Sequence, residues 1–121
     1  MSARQNIFKA FANAFNGIAH FFLNERNGKI QLAFAIAVII SGFIFKVNEI
    51  EWMMLLLCIG LVIGAEMLNS ALEKICDLVH KDFHPTIKII KDVSAAAVLW
   101  LAIISAIIGI IIFLPKLIAL L

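Results

Sequence analysis

The sequence predicts an all-α membrane protein: one amphipathic surface helix and three membrane-spanning helices in a single domain covering residues 1–121. Three observations predict it. Of the 121 residues 64% are hydrophobic, and the mean hydropathy is +1.07. A soluble chain this short buries only part of its surface and could not hide that much apolar area. Three runs, Ile30–Phe45, Trp52–Ala65 and Val93–Leu114, carry no charged residue. The third reaches the ~20 residues that cross a bilayer, and the first two reach it if flanking polar residues continue the helix. Ahead of them lies a stretch whose apolar residues recur with helical rather than continuous spacing.

Met1–Ala3 is expected to be loose, and with no apolar run behind it the N-terminus does not read as a signal peptide. A helix is predicted over about 6–22. Ile7, Phe11, Phe15, Ile18 and Phe22 form one stripe, while Lys9, Asn13, Asn16 and His20 form the other. Such a helix lies in the membrane interface with its aromatic face toward the acyl chains. His20 has no partner at metal-ligand spacing and reads as an interfacial polar residue. In the polar interval Leu23–Lys29, Gly28 is expected to break the chain between the surface helix and the first span. Glu25, the only acid before Glu49, sits there at a membrane entrance.

The spans are predicted over about 29–46, 51–79 and 91–114. Ser41 and Gly42 in the first, and Ala95, Ala96, Ala97, Ser105, Ala106 and Gly109 in the third, are small residues that allow close helix approach. Trp52 stands where an interfacial aromatic belongs. The second span continues past its apolar run into a polar extension. A loop containing Pro85 is expected over His80–Lys88, and Pro115–Lys116 is expected to end the third span. Cys58 and Cys76 lie about 27 Å apart along one helix, too far to pair within the chain.

Of the ten basic residues, all but Lys46 and Lys116 fall on one side of this arrangement. Short loops rich in Lys and Arg stay in the cytoplasm, which places the N-terminus inside and the C-terminus outside. The weak net charge of +2 and the lack of a basic block give no sign of a nucleic-acid partner.

The polar extension of the second span carries the chemistry. At 100° per residue, Glu66, Glu73 and Asp77 fall within about 40° of one another, with Asn69 and Ser70 beside them. A carboxylate at bilayer depth costs about 2.5–3.5 kcal/mol and so marks a functional site by default. Lys91 and Asp92 open the third span on the same side. Carboxylates at Glu25 and Glu73 suit Mg²⁺, which takes one or two such ligands together with substrate phosphates. Lys91 suits phosphate charge. Glu66, nearest the bilayer, suits a base accepting a proton from a lipid hydroxyl. Phosphoryl transfer from a nucleotide to a membrane alcohol joins these features, although no Walker-type or kinase-type glycine loop is present. A non-enzymatic reading, as a proton-coupled transporter subunit or a structural subunit, uses similar acids but gives Lys91-Asp92 no task.

The segment Glu66-Met67-Leu68-Asn69-Ser70-Ala71-Leu72-Glu73 with Asp77, followed by Lys91-Asp92 and Ser94-Ala95-Ala96-Ala97-Val98, resembles the prokaryotic diacylglycerol kinase family. Asn24-Glu25-Arg26-Asn27 and Ile112-Phe113-Leu114-Pro115 resemble its undecaprenol kinase branch. The resemblance covers nearly the whole chain. It implies a homotrimer in the bacterial inner membrane, using ATP and Mg²⁺ to phosphorylate undecaprenol or diacylglycerol. It also implies Glu66 as catalytic base, with Asn69 and Ser70 beside the lipid hydroxyl, and Glu25 and Glu73 as metal-binding acids. The same two acids would line the ATP site with Asp77, Asp82, Phe83, His84, Lys91 and Asp92. Two positions depart from the enterobacterial branch. Asn6 stands where that branch has an ATP-holding arginine, a task that falls here to Arg4 or Lys9, and Asn13 replaces an aromatic residue.

Overall fold

Four helices account for nearly all of the chain: α1 Ala3–Asn24, α2 Arg26–Ile44, α3 Glu49–Val79 and α4 Pro85–Leu120. The computed structural model describes residues 3–121, with side chains from Asn6 onward; Met1, Ser2 and the Arg4 side chain lie outside the described residues. Among the described residues there is no strand, and α2, α3 and α4 are each long and apolar enough to cross a membrane. The chain forms two compact units, the first running to Phe34 and the second spanning Ala35–Leu121.

In the first unit, α1 begins at Ala3 and leaves Ile7, Phe8, Phe11 and Phe15 exposed along one side. An exposed aromatic row is unfavourable in water and suits an acyl-chain boundary. The helix breaks at Glu25, three residues before the glycine expected to break it. Gly28 instead lies inside α2, where its bare Cα faces the Phe21 carbonyl; a Cβ built there would stand 1.9 Å from that oxygen. Glycine is therefore required for a close approach of two backbone segments rather than for a turn. The Glu25 N–H still reaches the Phe21 carbonyl at 3.3 Å, and Lys29 N–H reaches the Glu25 carbonyl at 3.1 Å, so little backbone goes unpaired at the break.

In the second unit, α2 ends in a Schellman motif. The Val47 N–H bonds the Gly42 carbonyl at 3.1 Å, and the Lys46 N–H bonds the Phe43 carbonyl at 3.3 Å. Lys46 takes the left-handed conformation this motif needs, with φ of 52°. One residue later Asn48 caps α3: its side chain accepts from the Glu51 N–H at 2.8 Å while Glu51 Oε1 accepts from the Asn48 N–H at 3.0 Å. This reciprocal capping box satisfies donors that the helix start would otherwise orphan. The connection is tight enough to lay the Trp52 ring on Gly42, where a Cβ would come within 2.5 Å of it. Val47, Leu55 and Ile112 are buried together, flanked by Val38, Trp52, Ile108 and Phe113.

α3 and α4 run antiparallel and pack along their lengths. α4 starts at Pro85, inside the expected loop, because proline at the first helical position gives up an N–H that has no partner there anyway. His84 caps it, accepting the Thr86 N–H at 3.2 Å. At the other end the helix passes through Pro115 to Leu120 instead of stopping. A membrane helix tolerates proline where nearby groups take up the freed carbonyls. One residue on, Lys116 Nζ donates to the Ile112 carbonyl at 3.3 Å and holds Glu51 Oε2 at 2.7 Å, which ties this last part of α4 to the start of α3.

Candidate active site

The polar stripe of α3 runs from buried to exposed. Glu66, Asn69 and Ser70 are 7%, 5% and 8% accessible in a helix whose neighbouring surface is largely exposed apolar side chain. Glu73 is half-buried, and Asp77, one turn further on, is exposed. Over Glu66 to Asp77 the helix rises about 16 Å. One face thus carries acids in a dry setting at one end and a wet setting at the other.

Within the stripe, Asn69 Nδ2 donates to Glu73 Oε1 at 3.3 Å. The other amide atom, Asn69 Oδ1, is buried without a hydrogen-bond partner. Buried acceptors are nearly always paired, so an orphan oxygen beside a carboxylate marks a place where something else supplies a donor or a cation. At the exposed end Lys91 Nζ reaches across from α4 to Asp77 Oδ1 at 2.6 Å. Lys74, Asp77, Leu78 and Lys81 line an open cavity of about 640 Å³ at this end of α3.

The structure brings together Asn69 with Glu73 and Asp77 with Lys91. Asp92 pairs along its own helix with Lys88 at 2.6 Å. Asp82, Phe83 and His84 lie exposed in the short link between α3 and α4; the His80 ring bonds the Asp82 carbonyl at 2.8 Å and stands edge-on to His84. Glu25 belongs to the first unit, where its side chain is 16% accessible and lies 3.7 Å from His20 Nε2. Among the described residues no three His, Cys, Asp or Glu side chains converge as a metal cage. A Mg²⁺ site needs no such cage, because substrate phosphates and water complete it. The half-buried Glu73 carboxylate next to the orphan Asn69 Oδ1 offers hard oxygens of the kind that ion takes.

Two features lay beyond sequence reasoning. The contact of His20 with Glu25 crosses a helix break whose position the residues did not disclose. Lys74 and Lys81 read only as topology markers; Lys81 lies beyond the end of α3, and the turn of the chain at His80 that brings it to the cavity leaves no periodic signal.

The sequence pattern of prokaryotic diacylglycerol kinases matches residues 12–113. The chain belongs to that family. It is 46% identical to an undecaprenol kinase of Bacillus subtilis over 110 residues, covering 91% of this chain and 89% of the relative. It is 36% identical to a diacylglycerol kinase of Synechocystis over 116 residues, 95% of this chain and 66% of that longer protein. It is 33% identical to the diacylglycerol kinase of Escherichia coli K12 over 103 residues, 84% and 83% of the two chains. Family membership makes the chain a multi-pass membrane lipid kinase, a phosphotransferase with an alcohol acceptor and ATP as the phosphate donor.

Proposed function

We propose that the chain transfers the γ-phosphoryl group of ATP to the hydroxyl of undecaprenol, with diacylglycerol as the alternative acceptor, at the cytoplasmic face of the bacterial inner membrane. The observation that carries this reading is the buried-to-exposed gradient along α3. A lipid hydroxyl and a nucleotide must meet between membrane and water, and this face passes from Glu66, Asn69 and Ser70 in the dry region to Asp77 and Lys91 in the wet one. The higher identity to the undecaprenol kinase favours that acceptor.

Glu66 accepts the proton of the lipid hydroxyl as its oxygen attacks the γ-phosphorus. Its burial strengthens that interaction by excluding competing water. Asn69 and Ser70 orient the hydroxyl. Lys91 leaves Asp77 to neutralise phosphate charge. Asp77, Asp92 and the Asp82-Phe83-His84 link surround the nucleotide, along with Glu25 and Glu73. Those two acids would also hold Mg²⁺, which when bound neutralises charge on the phosphates. Catalysis of this kind is positioning plus electrostatics, with little covalent work for the protein. The active form is a homotrimer with its N-terminus in the cytoplasm, and sites shared between subunits would draw acids of different helices together.

The test is phosphate transfer from labelled ATP by purified protein in mixed micelles, with undecaprenol and diacylglycerol offered in parallel. Preferential labelling of undecaprenol is expected. Labelling of diacylglycerol alone would move the acceptor assignment, and transfer to neither by folded protein would overturn the kinase reading.

A further inference from the structure

We infer that His20 is a positioning residue for Glu25, aligning its carboxylate for the divalent cation. The inference rests on the proposed role of Glu25 as a metal-binding acid. Glu25 is the single residue between α1 and α2, and its backbone is held by i→i−4 hydrogen bonds on both sides of the break. His20 stands near the end of α1 with Nε2 3.7 Å from Glu25 Oε1. Its other nitrogen, Nδ1, lies 3.2 Å from Asn24 Nδ2, one turn along the same helix. With the Asn24 amide nitrogen donating to Nδ1, the ring proton sits on Nε2 and faces the carboxylate.

Asn24, His20 and Glu25 thus form a relay of orientation: the amide sets the tautomer, and the tautomer presents an N–H toward the acid. The 3.7 Å gap exceeds a direct hydrogen bond and closes to one with a small rotation of the exposed His20 ring. Outer partners of metal-binding carboxylates act in this way, and losing one weakens metal affinity about 10- to 100-fold. His20 is 58% accessible, which places its effect at or below the low end of that range, about 3- to 10-fold. The same exposure means that replacing it removes little packing.

The test uses full-length protein in micelles with a non-hydrolysable ATP analogue and Mn²⁺ as the probe ion. Mn²⁺ affinity is read by electron paramagnetic resonance for wild type, His20→Ala, His20→Gln, Glu25→Gln and the double variant His20→Ala/Glu25→Gln. His20→Ala should weaken Mn²⁺ binding about 3- to 10-fold. It should raise the Mg²⁺ concentration for half-maximal activity by the same factor, with kcat recovered at saturating Mg²⁺. His20→Gln, whose amide restores an N–H donor, should recover most of the affinity. The double variant should bind no more weakly than Glu25→Gln alone. If Glu25→Gln weakens Mn²⁺ while His20→Ala does not, or if the two effects multiply in the double variant, the positioning role is overturned. If Glu25→Gln itself leaves Mn²⁺ binding unchanged, the assignment of Glu25 to the metal falls instead, and this inference with it.

Discussion

Lys91 Nζ of α4 lies 2.6 Å from Asp77 Oδ1 of α3, and both side chains are substantially open to solvent. At the far end of the same two helices Lys116 pairs with Glu51 at 2.7 Å, in a more enclosed setting. Glu51 and Asp77 are about 39 Å apart along α3, and Lys91 and Lys116 about 37 Å along α4. The pairs therefore share one antiparallel register. Exposed ion pairs contribute little to stability because water screens them, so the Asp77–Lys91 pair has little to offer the fold. Under the proposed function, Lys91 exchanges this exposed carboxylate for a phosphate at little cost to the fold.

Loss of the Lys91 cation should give a split phenotype. Lys91→Met should raise KM for ATP about 10- to 100-fold, since charge-assisted contacts to phosphate are strong. Thermal unfolding in micelles should hardly move. Kinetics at several ATP concentrations, set beside a melting curve of the same sample, check both halves. A large drop in Tm with unchanged KM would reassign Lys91 to structure.

Glu66→Gln keeps shape and hydrogen-bonding atoms but removes the base. General-base catalysis contributes about 10²- to 10⁴-fold, so kcat should fall by at least about 10² with ATP affinity within about twofold of wild type. Nucleotide binding by calorimetry and single-turnover phosphate transfer separate the two. Near-normal turnover would exclude Glu66 as the base.

The stripe that carries Glu66 was legible because helical spacing alone aligns Glu66, Glu73 and Asp77, whatever the surrounding fold. The three spans were legible because an uncharged run has few other homes. What the residues did not disclose depends on context. Pro85 reads as a breaker until its position relative to the helix is known; at the first helical position the same ring favours continuation. Pro115 reads as a stop, yet α4 runs through it to Leu120, as a membrane helix tolerates. Gly28 carries no mark of the Phe21 carbonyl against it. The Asp77–Lys91 and Glu51–Lys116 pairs need the register of α3 against α4, which no local pattern contains.

Lys46 offers a test on the fold alone. It holds a left-handed conformation at a Schellman position normally given to glycine. Relief of that strain is partly offset by the greater freedom glycine gains when unfolded. Lys46→Gly should therefore stabilise the protein by about 0.5–1 kcal/mol and leave KM and kcat unchanged, because the turn is at the end of α3 remote from Glu66. Unfolding by denaturant in micelles, with an activity control, gives the sign directly.

Gly28 and Gly17 form a matched pair that separates close approach from helix propensity. A methyl group at Gly28 would collide with the Phe21 carbonyl, the acceptor of the Glu25 N–H. A methyl group at Gly17, in the middle of α1, meets nothing within 4 Å. Gly28→Ala should therefore cost about 1–3 kcal/mol, as overpacking does, and should disturb the turn that carries Glu25. Gly17→Ala should be neutral or stabilising by up to about 1 kcal/mol. If Glu25 serves the metal, Gly28→Ala should also raise the Mg²⁺ concentration needed for half-maximal activity, and Gly17→Ala should not. Equal stability changes in the two variants would mean that the Phe21 backbone yields freely to a methyl group at Gly28, and that the α1–α2 junction is not a rigid support for Glu25.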